Sequence, residues 1–225
     1  MAGRESSGRR LKKTVLKQLQ EKDFEKGLAR IRSLPPRKAV NPLFSFFFHP
    51  KPLVRWRAVS AMGAATASLA ETDMESARVI MRRLMWSLND ESGGIGWGSP
   101  EAMGEIMAQS HALAREYASI LIEFTREAGN YIEHPLLQQG VLWGVGRLAG
   151  RRPELARDGI GPVSVFLESD DPAKRGLAAW ALAPLKFSPE KALLDRLLND
   201  RAELDFYSRG EIRSRPVQWF ARAFA

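Results

Sequence analysis

Proline recurs in this chain at the start of segments that can be aligned with one another. The two segments that align best place Trp143 over Trp180 and Val145 over Leu182. The segments begin at Pro52, Pro135 and Pro172, with weaker matches at Pro100 and Pro216. These prolines lie 35 to 48 residues apart, which is typical of solenoids built from two-helix repeats. The spacing therefore predicts an all-α fold, a right-handed α–α superhelix of the HEAT or armadillo type with about five helix pairs.

One glycine-rich stretch interrupts the helical pattern. It runs from Asn89 to Glu101, and we call it the glycine-tryptophan loop. Its four glycines can reach backbone conformations that are closed to other residues. The loop lies between the first and second predicted helices of one repeat, where Ser99 and Pro100 are expected to restart the helix as its N-cap and first-turn residue. We therefore interpret it as an insertion in the turn between two helices.

The loop is open to more than one chemical interpretation. A glycine-rich segment before a helix N-terminus resembles a phosphate cradle, but the preceding strand and the lysine and glycine spacing of a P-loop are missing. Glu101 and Glu105 share a helix face, and Asp90 and Glu91 lie close in the sequence. Such a cluster suits a divalent cation, an amine, a partner's arginine or an acid/base pair. Carboxylates at this spacing usually just face water, so no catalytic and no metal-binding residue is assigned.

Trp97 is the remaining feature of the loop, and it stands between two glycines. One interpretation is that it is presented as an anchor for a protein or ligand pocket. The other is that it folds back as a plug over the solenoid ridge. We take the anchor as the functional hypothesis. The residues predicted to bind a partner are Asn89, Asp90, Glu91, Ser92, Trp97, Glu101 and Glu105.

The composition is that of an ordinary globular protein, with 44% hydrophobic and 27% charged residues. The chain has no cysteine, which excludes disulfides and thiolate chemistry, and its histidines are not at metal-ligand spacing from one another. The N-terminus lacks the apolar region of a signal peptide, and the longest aromatic run, residues 43–48, is too short to span a bilayer. We therefore expect a cytoplasmic protein without a cofactor and without a membrane partner.

The net charge of +8 originates at one end of the chain. Residues 1–38 hold 12 Lys/Arg and 4 Asp/Glu, and the rest of the chain holds 22 of each kind. The basic character therefore belongs to the N-terminal segment and does not indicate a nucleic-acid groove along the whole surface. Nucleic acid stays a candidate partner only through residues 1–38, and a solvated helical cap explains the same charges.

The domain organisation follows from these patterns. Residues 1–8 are polar and are predicted to form a disordered basic tail. Residues 9–225 are predicted to form one solenoid domain, with capping helices at 9–34 and repeats at 36–225, because the terminal unit of a solenoid needs a polar outer face. Asp23 can cap the second of the N-terminal helices. Near the C-terminus the alternation around Ser208-Arg209-Gly210 favours a small β-hairpin.

A family resemblance rests on the segment Asp171-Pro172-Ala-Lys-Arg175-Gly-Leu-Ala-Ala-Trp-Ala-Leu182. It closely resembles the second helix of HEAT-like repeats of the phycobilisome-lyase type, in which Asp-Pro is followed by a basic residue, alanines and a leucine. Residues 52–63 are similar, whereas residues 135–148 have Gln138 where the family carries arginine. The whole chain resembles a bacterial member of this group. The resemblance implies an α-solenoid that serves as a scaffold for protein partners, and it does not imply lyase activity, because fold does not fix function.

Two functional hypotheses from different classes follow. The first is a non-enzymatic scaffold that docks one protein through a ridge marked by Glu91, Trp97 and Glu101. The second is a nucleic-acid-binding protein that resembles the HEAT-like alkylpurine DNA glycosylases, in which Trp97 with Asp90 or Glu91 would act on the base and the N-terminal helices would hold phosphates. The neutral charge of residues 39–225 argues against the second. A tetrapyrrole lyase is a weaker third hypothesis, because no cysteine or well-placed histidine offers a covalent or metal handle.

Overall fold

The computed structural model describes the backbone of residues 2–88 and 96–225, and the side chains from residue 8 onward. Four of the predicted binding residues, Asn89, Asp90, Glu91 and Ser92, lie outside the described residues. The predictions that concern them therefore stay predictions.

The described residues form a solenoid of antiparallel helix pairs. The N-terminal pair consists of α1 (Ala2–Leu19) and α2 (Phe24–Arg32). In the five pairs that follow, the first helices are α3 (Pro36–Phe46), α5 (Met74–Leu88), α7 (His111–Glu123), the short α9 (Pro153–Ala156) with α10 (Ile160–Ser164), and α12 (Lys191–Leu198). The second helices are α4 (Pro52–Thr72), α6 (Ser99–Gln109), α8 (Pro135–Ala149), α11 (Pro172–Leu182) and α13 (Val217–Ala221). The predicted all-α solenoid is confirmed.

The second helices pack on one another in chain order, from α4 to α6, α8, α11 and α13. We call the face that they form the inner face. Between α6 and α8 the approach is close because both helices carry glycine where they meet. A Cβ atom added to Gly104 would lie 2.3 Å from Cα of Gly144, and one added to Gly144 would lie 2.6 Å from the carbonyl oxygen of Pro100. The glycines that are costly in an isolated helix thus bring the first turn of α6 against the middle of α8.

A β-hairpin lies across the inner face, as the alternating C-terminal segment predicts. Strands β1 (Glu203–Ser208) and β2 (Glu211–Pro216) pair antiparallel around a two-residue turn. Arg209 and Gly210 have φ angles of 50° and 79°, the positive values that a type I′ hairpin turn requires at both positions. The turn reaches the N-terminal end of the solenoid, where Arg57 Nε donates to the carbonyl oxygen of Gly210 at 2.9 Å. The hairpin therefore connects the last helix pair to the first.

The N-terminal pair packs against both helices of the pair that follows it. Val15 and Leu19 on α1 are fully buried, and the Asp23 side chain accepts from the backbone N–H of Lys26 at the start of α2. The helical backbone of α1 begins at Ala2, within the segment predicted to be disordered. The division of the chain at Gly8 into tail and domain stays a prediction. None of the described helices is both long and apolar enough to cross a bilayer.

Candidate functional site

The hairpin divides the inner face into two cavities, with a wall of three aromatic rings between them. The ring of Tyr207 on β1 stacks on Trp56, with ring centres 5.1 Å apart, and Trp56 lies 4.9 Å from Trp143. The indole N–H of Trp143 donates to the carbonyl oxygen of Tyr207 at 3.2 Å, and the Tyr207 hydroxyl lies 2.8 Å from Ser60 Oγ. One cavity opens at the N-terminal ends of the second helices and the other at their C-terminal ends.

The first cavity, which we call the tryptophan-glutamate pocket, has a volume of about 200 Å³. Three tryptophans form its walls and Glu101 contributes the carboxyl group, while Arg55 and Asp205 lie on its exposed rim. Its defining residues are Trp56, Trp97, Glu101, Gln139, Gly140 and Trp143. The pocket thus combines a largely aromatic surface with a few polar groups, which is the usual composition of ligand sites in proteins.

Trp97 is a wall of this pocket and is half-buried. Its ring meets the ring of His134 edge-on, with centres 5.6 Å apart. The next residue, Gly98, has a φ angle of 75°, and a Cβ atom there would lie 2.9 Å from the ring of Phe47. Gly98 therefore allows the chain to turn tightly over Phe47 and to place Trp97 beside the first turn of α6. The indole is neither fully exposed at a loop tip nor fully buried as a plug.

Glu101 places a carboxyl group with one unpartnered oxygen in the same pocket. Its Oε2 atom is buried and has no hydrogen-bond partner among the described residues. The group fits there because residue 140 on α8 is glycine, and a Cβ atom at Gly140 would lie 2.6 Å from Oε1 of Glu101. Burial raises the pKa of Glu101 to about 7, although a hydrogen bond from its own backbone N–H and the positive charge of Arg55 partly oppose the shift. Near neutral pH this carboxyl group therefore exchanges between its neutral and its charged form.

Glu105, one helical turn further along α6, has a different environment. It is buried, and its carboxylate accepts two hydrogen bonds from Arg147, at 2.6 and 3.1 Å. Gln109 Nε2 donates a further hydrogen bond to Glu105 at 2.8 Å. Glu105 lines the second cavity and Glu101 the first, so the two carboxylates do not form a joint site. In the parts of the chain that the structure describes, no three acidic or histidine side chains are grouped as metal ligands.

The second cavity, which we call the arginine groove, has a volume of about 800 Å³. Its acidic residues are Glu25 and Glu105. The arginines that line it are Arg32, Arg147, Arg151, Arg152 and Arg209. Several of these side chains have structural partners, since Arg147 pairs with Glu105 and Arg152 Nε donates to the carbonyl oxygen of Met107 near the end of α6. Positive charge near helix C-termini also offsets the helix dipole, so Arg147 and Arg152 have structural roles in the fold.

One residue near the pocket differs in detail from its predicted role. The N-cap of α6 is Gly98, so the prediction of Ser99 as N-cap is wrong by one residue. The hydroxyl of Ser99 lies instead 2.7 Å from that of Ser87 on α5, which holds the two sides of the loop together. His134 occupies the N-cap position of α8, but its side chain makes no capping hydrogen bond. It packs against Trp97 and contributes to the support of the pocket.

Sequence reasoning missed the pocket residues that come from other repeats. Arg55, Trp56 and Gln139 lie in the first two turns of α4 and α8. The proline alignment contains a signal for them, because aligned helices of a solenoid bring equivalent turns side by side. Asp205 carries no such signal, since β1 reaches the pocket through a contact between distant parts of the chain.

Comparisons with known proteins agree with the solenoid fold and give no family. No family model matches the chain. It is 26% identical over 190 residues to an uncharacterized protein of Archaeoglobus fulgidus, an alignment that covers 81% of this chain and 91% of that protein. The phycobilisome-lyase type of repeat therefore stays a prediction.

Among solved structures, the chain is similar to designed and engineered proteins. A designed armadillo repeat protein in complex with the peptide (KR)4 has a TM-score of 0.50 and 16% identity, over 95% of this chain and 97% of that one. Two engineered proteins have TM-scores of 0.51 and 0.53 at 17% and 15% identity. They cover 96% and 95% of this chain, and 94% and 96% of their own lengths. At these identities the likeness shows the fold, a helical repeat solenoid of the armadillo type.

Proposed function

We propose that this protein is a non-enzymatic, cytoplasmic scaffold that binds a peptide segment of a protein partner at the N-terminal ends of its second helices. The observation that carries the proposal is the tryptophan-glutamate pocket, in which Trp97 and Glu101 border an open cavity of about 200 Å³. The glycine-tryptophan loop would supply one side of the contact through Trp97. The inner face would supply the other side through α4 and α8.

The energetics of burial support a binding role for the pocket. A buried carboxyl group without a partner lowers the stability of the protein that contains it, and binding sites often retain such costs because the group serves a ligand. Tryptophan is enriched among the residues that dominate protein interfaces. His134 partly covers one side of the Trp97 ring. Phe47 packs against Gly98, the residue that follows. The indole is therefore held in place before a partner arrives, which reduces the entropy lost on binding.

The fold comparison offers further support for a peptide partner. One similar structure is a designed armadillo repeat protein that holds the peptide (KR)4, and solenoids generally expose extended surfaces for binding. In the protein described here, β1 and β2 already lie across the inner face, which leaves the exposed ends of the second helices for a partner. We therefore propose that the partner inserts one side chain into the tryptophan-glutamate pocket, with the rest of its peptide along the exposed ends of α4, α6 and α8.

Selection from a displayed library of random peptides tests the proposal. Peptides enriched on the wild type are re-measured with Trp97→Ala, and a loss of about 2 kcal/mol or more is expected if Trp97 is an interface hot spot. The matched control is Trp86→Ala, because Trp86 is 73% exposed on α5 and does not line the pocket. Peptides that bind Trp97→Ala as tightly as the wild type, or an absence of enrichment, would contradict the proposal.

The alternative function is nucleic-acid binding in the manner of HEAT-like DNA glycosylases. The wild type and Trp97→Ala also distinguish this function from peptide binding. Binding through the basic residues 1–38 should weaken steeply as salt rises, and should be lost when those residues are removed. Peptide docking at the pocket should survive high salt better, because aromatic contacts are not screened. Nucleic acid that binds wild type and Trp97→Ala equally would favour the alternative.

A further inference from the structure

We propose that the tryptophan-glutamate pocket binds an organic cation, namely the guanidinium or ammonium group of an arginine or lysine side chain, with Glu101 as its counter-ion. The inference rests on the proposed function, because it names the side chain that the peptide partner would insert. It assigns Glu101 a binding role that neither the fold nor the stability of the protein requires.

The first argument is the unmet hydrogen-bonding capacity of Glu101. Oε2 is buried and lacks a partner among the described residues. A ligand N–H would supply the missing hydrogen bond once the carboxyl group turns toward the cavity that Glu101 lines. A cation satisfies this atom better than a neutral donor, because hydrogen bonds between ionised groups are about twice as strong as neutral ones. The neighbouring Gly140 makes room for the carboxyl group itself, since any larger residue there would meet Oε1.

The second argument is the aromatic lining. Trp56, Trp97 and Trp143 border the cavity, and tryptophan has the ring face that attracts cations most strongly. The combination of aromatic faces with a carboxylate is a general solution for alkylated ammonium and guanidinium groups, because the rings desolvate the alkyl part while the acid neutralises the charge. An anionic ligand would instead meet the ring faces and two carboxylates, Glu101 and Asp205.

The charged groups around the pocket favour a cation in a defined position. Asp205 on β1 lies at the rim and adds a second negative charge. Arg55 on α4 lies at the rim as well, but its guanidinium donates to the carbonyl oxygen of His49 at 3.4 Å and does not pair with Glu101. On α8 the groups at the pocket, Gln139 and Gly140, are uncharged, and His134 packs on Trp97. A ligand cation would therefore occupy the place that Arg55 leaves open.

Binding of a cation should also displace a proton. Burial raises the pKa of Glu101 to about 7, so part of the protein is protonated at this carboxyl near neutral pH. A bound cation stabilises the carboxylate and lowers its pKa again. Affinity should consequently rise as the pH increases through about 7, and each binding event near that pH should release a fraction of a proton.

The test uses pairs of small probes that differ in charge and hardly in shape. Butylguanidinium is compared with the neutral butylurea, and butylammonium with butanol, by isothermal titration calorimetry on the full-length protein at pH 8. The wild type is expected to bind butylguanidinium about tenfold more tightly than butylurea. Titrations near pH 7 in buffers with different ionisation enthalpies report the released proton.

Glu101→Gln is the decisive variant, because it keeps the size of the side chain and removes the charge. It is expected to abolish both the preference for the cation and the proton release. Glu116→Gln is the control, since Glu116 is an acidic residue on α7 that pairs with Arg78 away from the pocket. Circular dichroism confirms that the variants are folded. Equal binding of the charged and neutral probes by the wild type, an unchanged preference in Glu101→Gln, or no binding of butylguanidinium at millimolar concentration would each overturn the inference.

An experiment with a peptide shows whether the cation is a side chain of a protein partner or a free molecule. In a library peptide that needs Trp97, replacement of its arginine by the neutral analogue citrulline should lower affinity about tenfold in the wild type and hardly at all in Glu101→Gln. If peptides need Trp97 but tolerate citrulline, the cation inference fails and the scaffold proposal stands. If butylguanidinium binds and no peptide does, the pocket serves a free organic cation and the scaffold proposal fails.

Discussion

The two cavities of the inner face differ most clearly in the two carboxylates of α6 that line them. Glu105 in the arginine groove accepts hydrogen bonds from Arg147 and Gln109. Glu101 in the tryptophan-glutamate pocket has a buried oxygen to which none of the described residues donates. The residues are one helical turn apart on the same helix, so helix geometry alone does not decide their roles.

The difference lies in what the neighbouring helix offers to each carboxylate. Opposite Glu105, α8 presents the guanidinium of Arg147, whereas opposite Glu101 it presents Gly140. The first arrangement completes a hydrogen-bonded ion pair that holds two repeats together. The second gives the carboxyl group room beside α8 but no donor, at the edge of the cavity that it lines. The comparison teaches that a carboxylate is a better functional candidate where its surroundings fail to satisfy it than where they do.

The largest expected effect concerns the wall between the cavities. Tyr207→Ala removes the ring that stacks on Trp56 and the hydroxyl that meets Ser60. Truncation of a large buried aromatic residue costs about 3–5 kcal/mol, and the two cavities would merge. Urea denaturation measures the loss of unfolding free energy. Tyr207→Phe, which keeps the ring, should cost only about 1 kcal/mol.

The next largest effect concerns Glu105, the carboxylate that has hydrogen-bond partners. Glu105→Ala leaves Arg147 without its acidic partner in a half-buried position. Removal of one member of a buried ion pair costs about 3 kcal/mol or more when the remaining charge has no escape to solvent, so a loss of about 2–3 kcal/mol is expected here. The same denaturation experiment measures it. A change below about 0.5 kcal/mol would mean that Arg147 finds water instead.

Replacement of Glu101 should change the free energy of unfolding in the opposite direction. Because burial raises the pKa of Glu101 from 4.5 to about 7, the native state holds a proton that the unfolded chain releases, and stability falls as the pH rises through that window. Glu101→Gln should therefore stabilise the protein at pH 8, by up to about 3 kcal/mol, and should have little effect at pH 4. Thermal or urea unfolding of both proteins at the two pH values checks this. A variant that is less stable than the wild type at pH 8 would contradict an unpaired Glu101.

The smallest effect sharpens the account of the pocket rim. Arg55→Gln removes a positive charge that acts on Glu101 and would repel a bound cation. Because Arg55 is exposed and screened by water, we expect butylguanidinium to bind only about two- to fivefold more tightly to the variant. Calorimetry at low salt measures the change, which should shrink as salt is added.

Much of the fold could be predicted from the sequence because its signals are local. The prolines that open α4, α8 and α11 and the turn at Arg209 and Gly210 each act within a few residues. The predicted solenoid and hairpin rely only on such signals and are confirmed. The start of α1 was harder to place, because helix ends fray and carry weak signals.

The site could be predicted only in part. Trp97 and Glu101 were chosen because they lie in an unusual loop, and the structure brings both to one pocket. Glu105 was chosen by its spacing from Glu101, which gives no information about Arg147 on another helix. Whether a carboxylate is paired depends on residues that are 40 or so positions away, and periodicity within one helix does not report such contacts.

The position of the β-hairpin turn also determines how the chain behaves as a whole. An open solenoid is held together only by neighbouring repeats, so its ends can unravel independently. Here Arg57 binds the hairpin turn at Gly210 and the carbonyl oxygens of Leu19 and Glu21 at the other end of the chain. The solenoid cannot be stretched or untwisted unless these hydrogen bonds of Arg57 break first. Its two ends should consequently melt together in a single cooperative transition, and loss of the last residues should loosen the first helices.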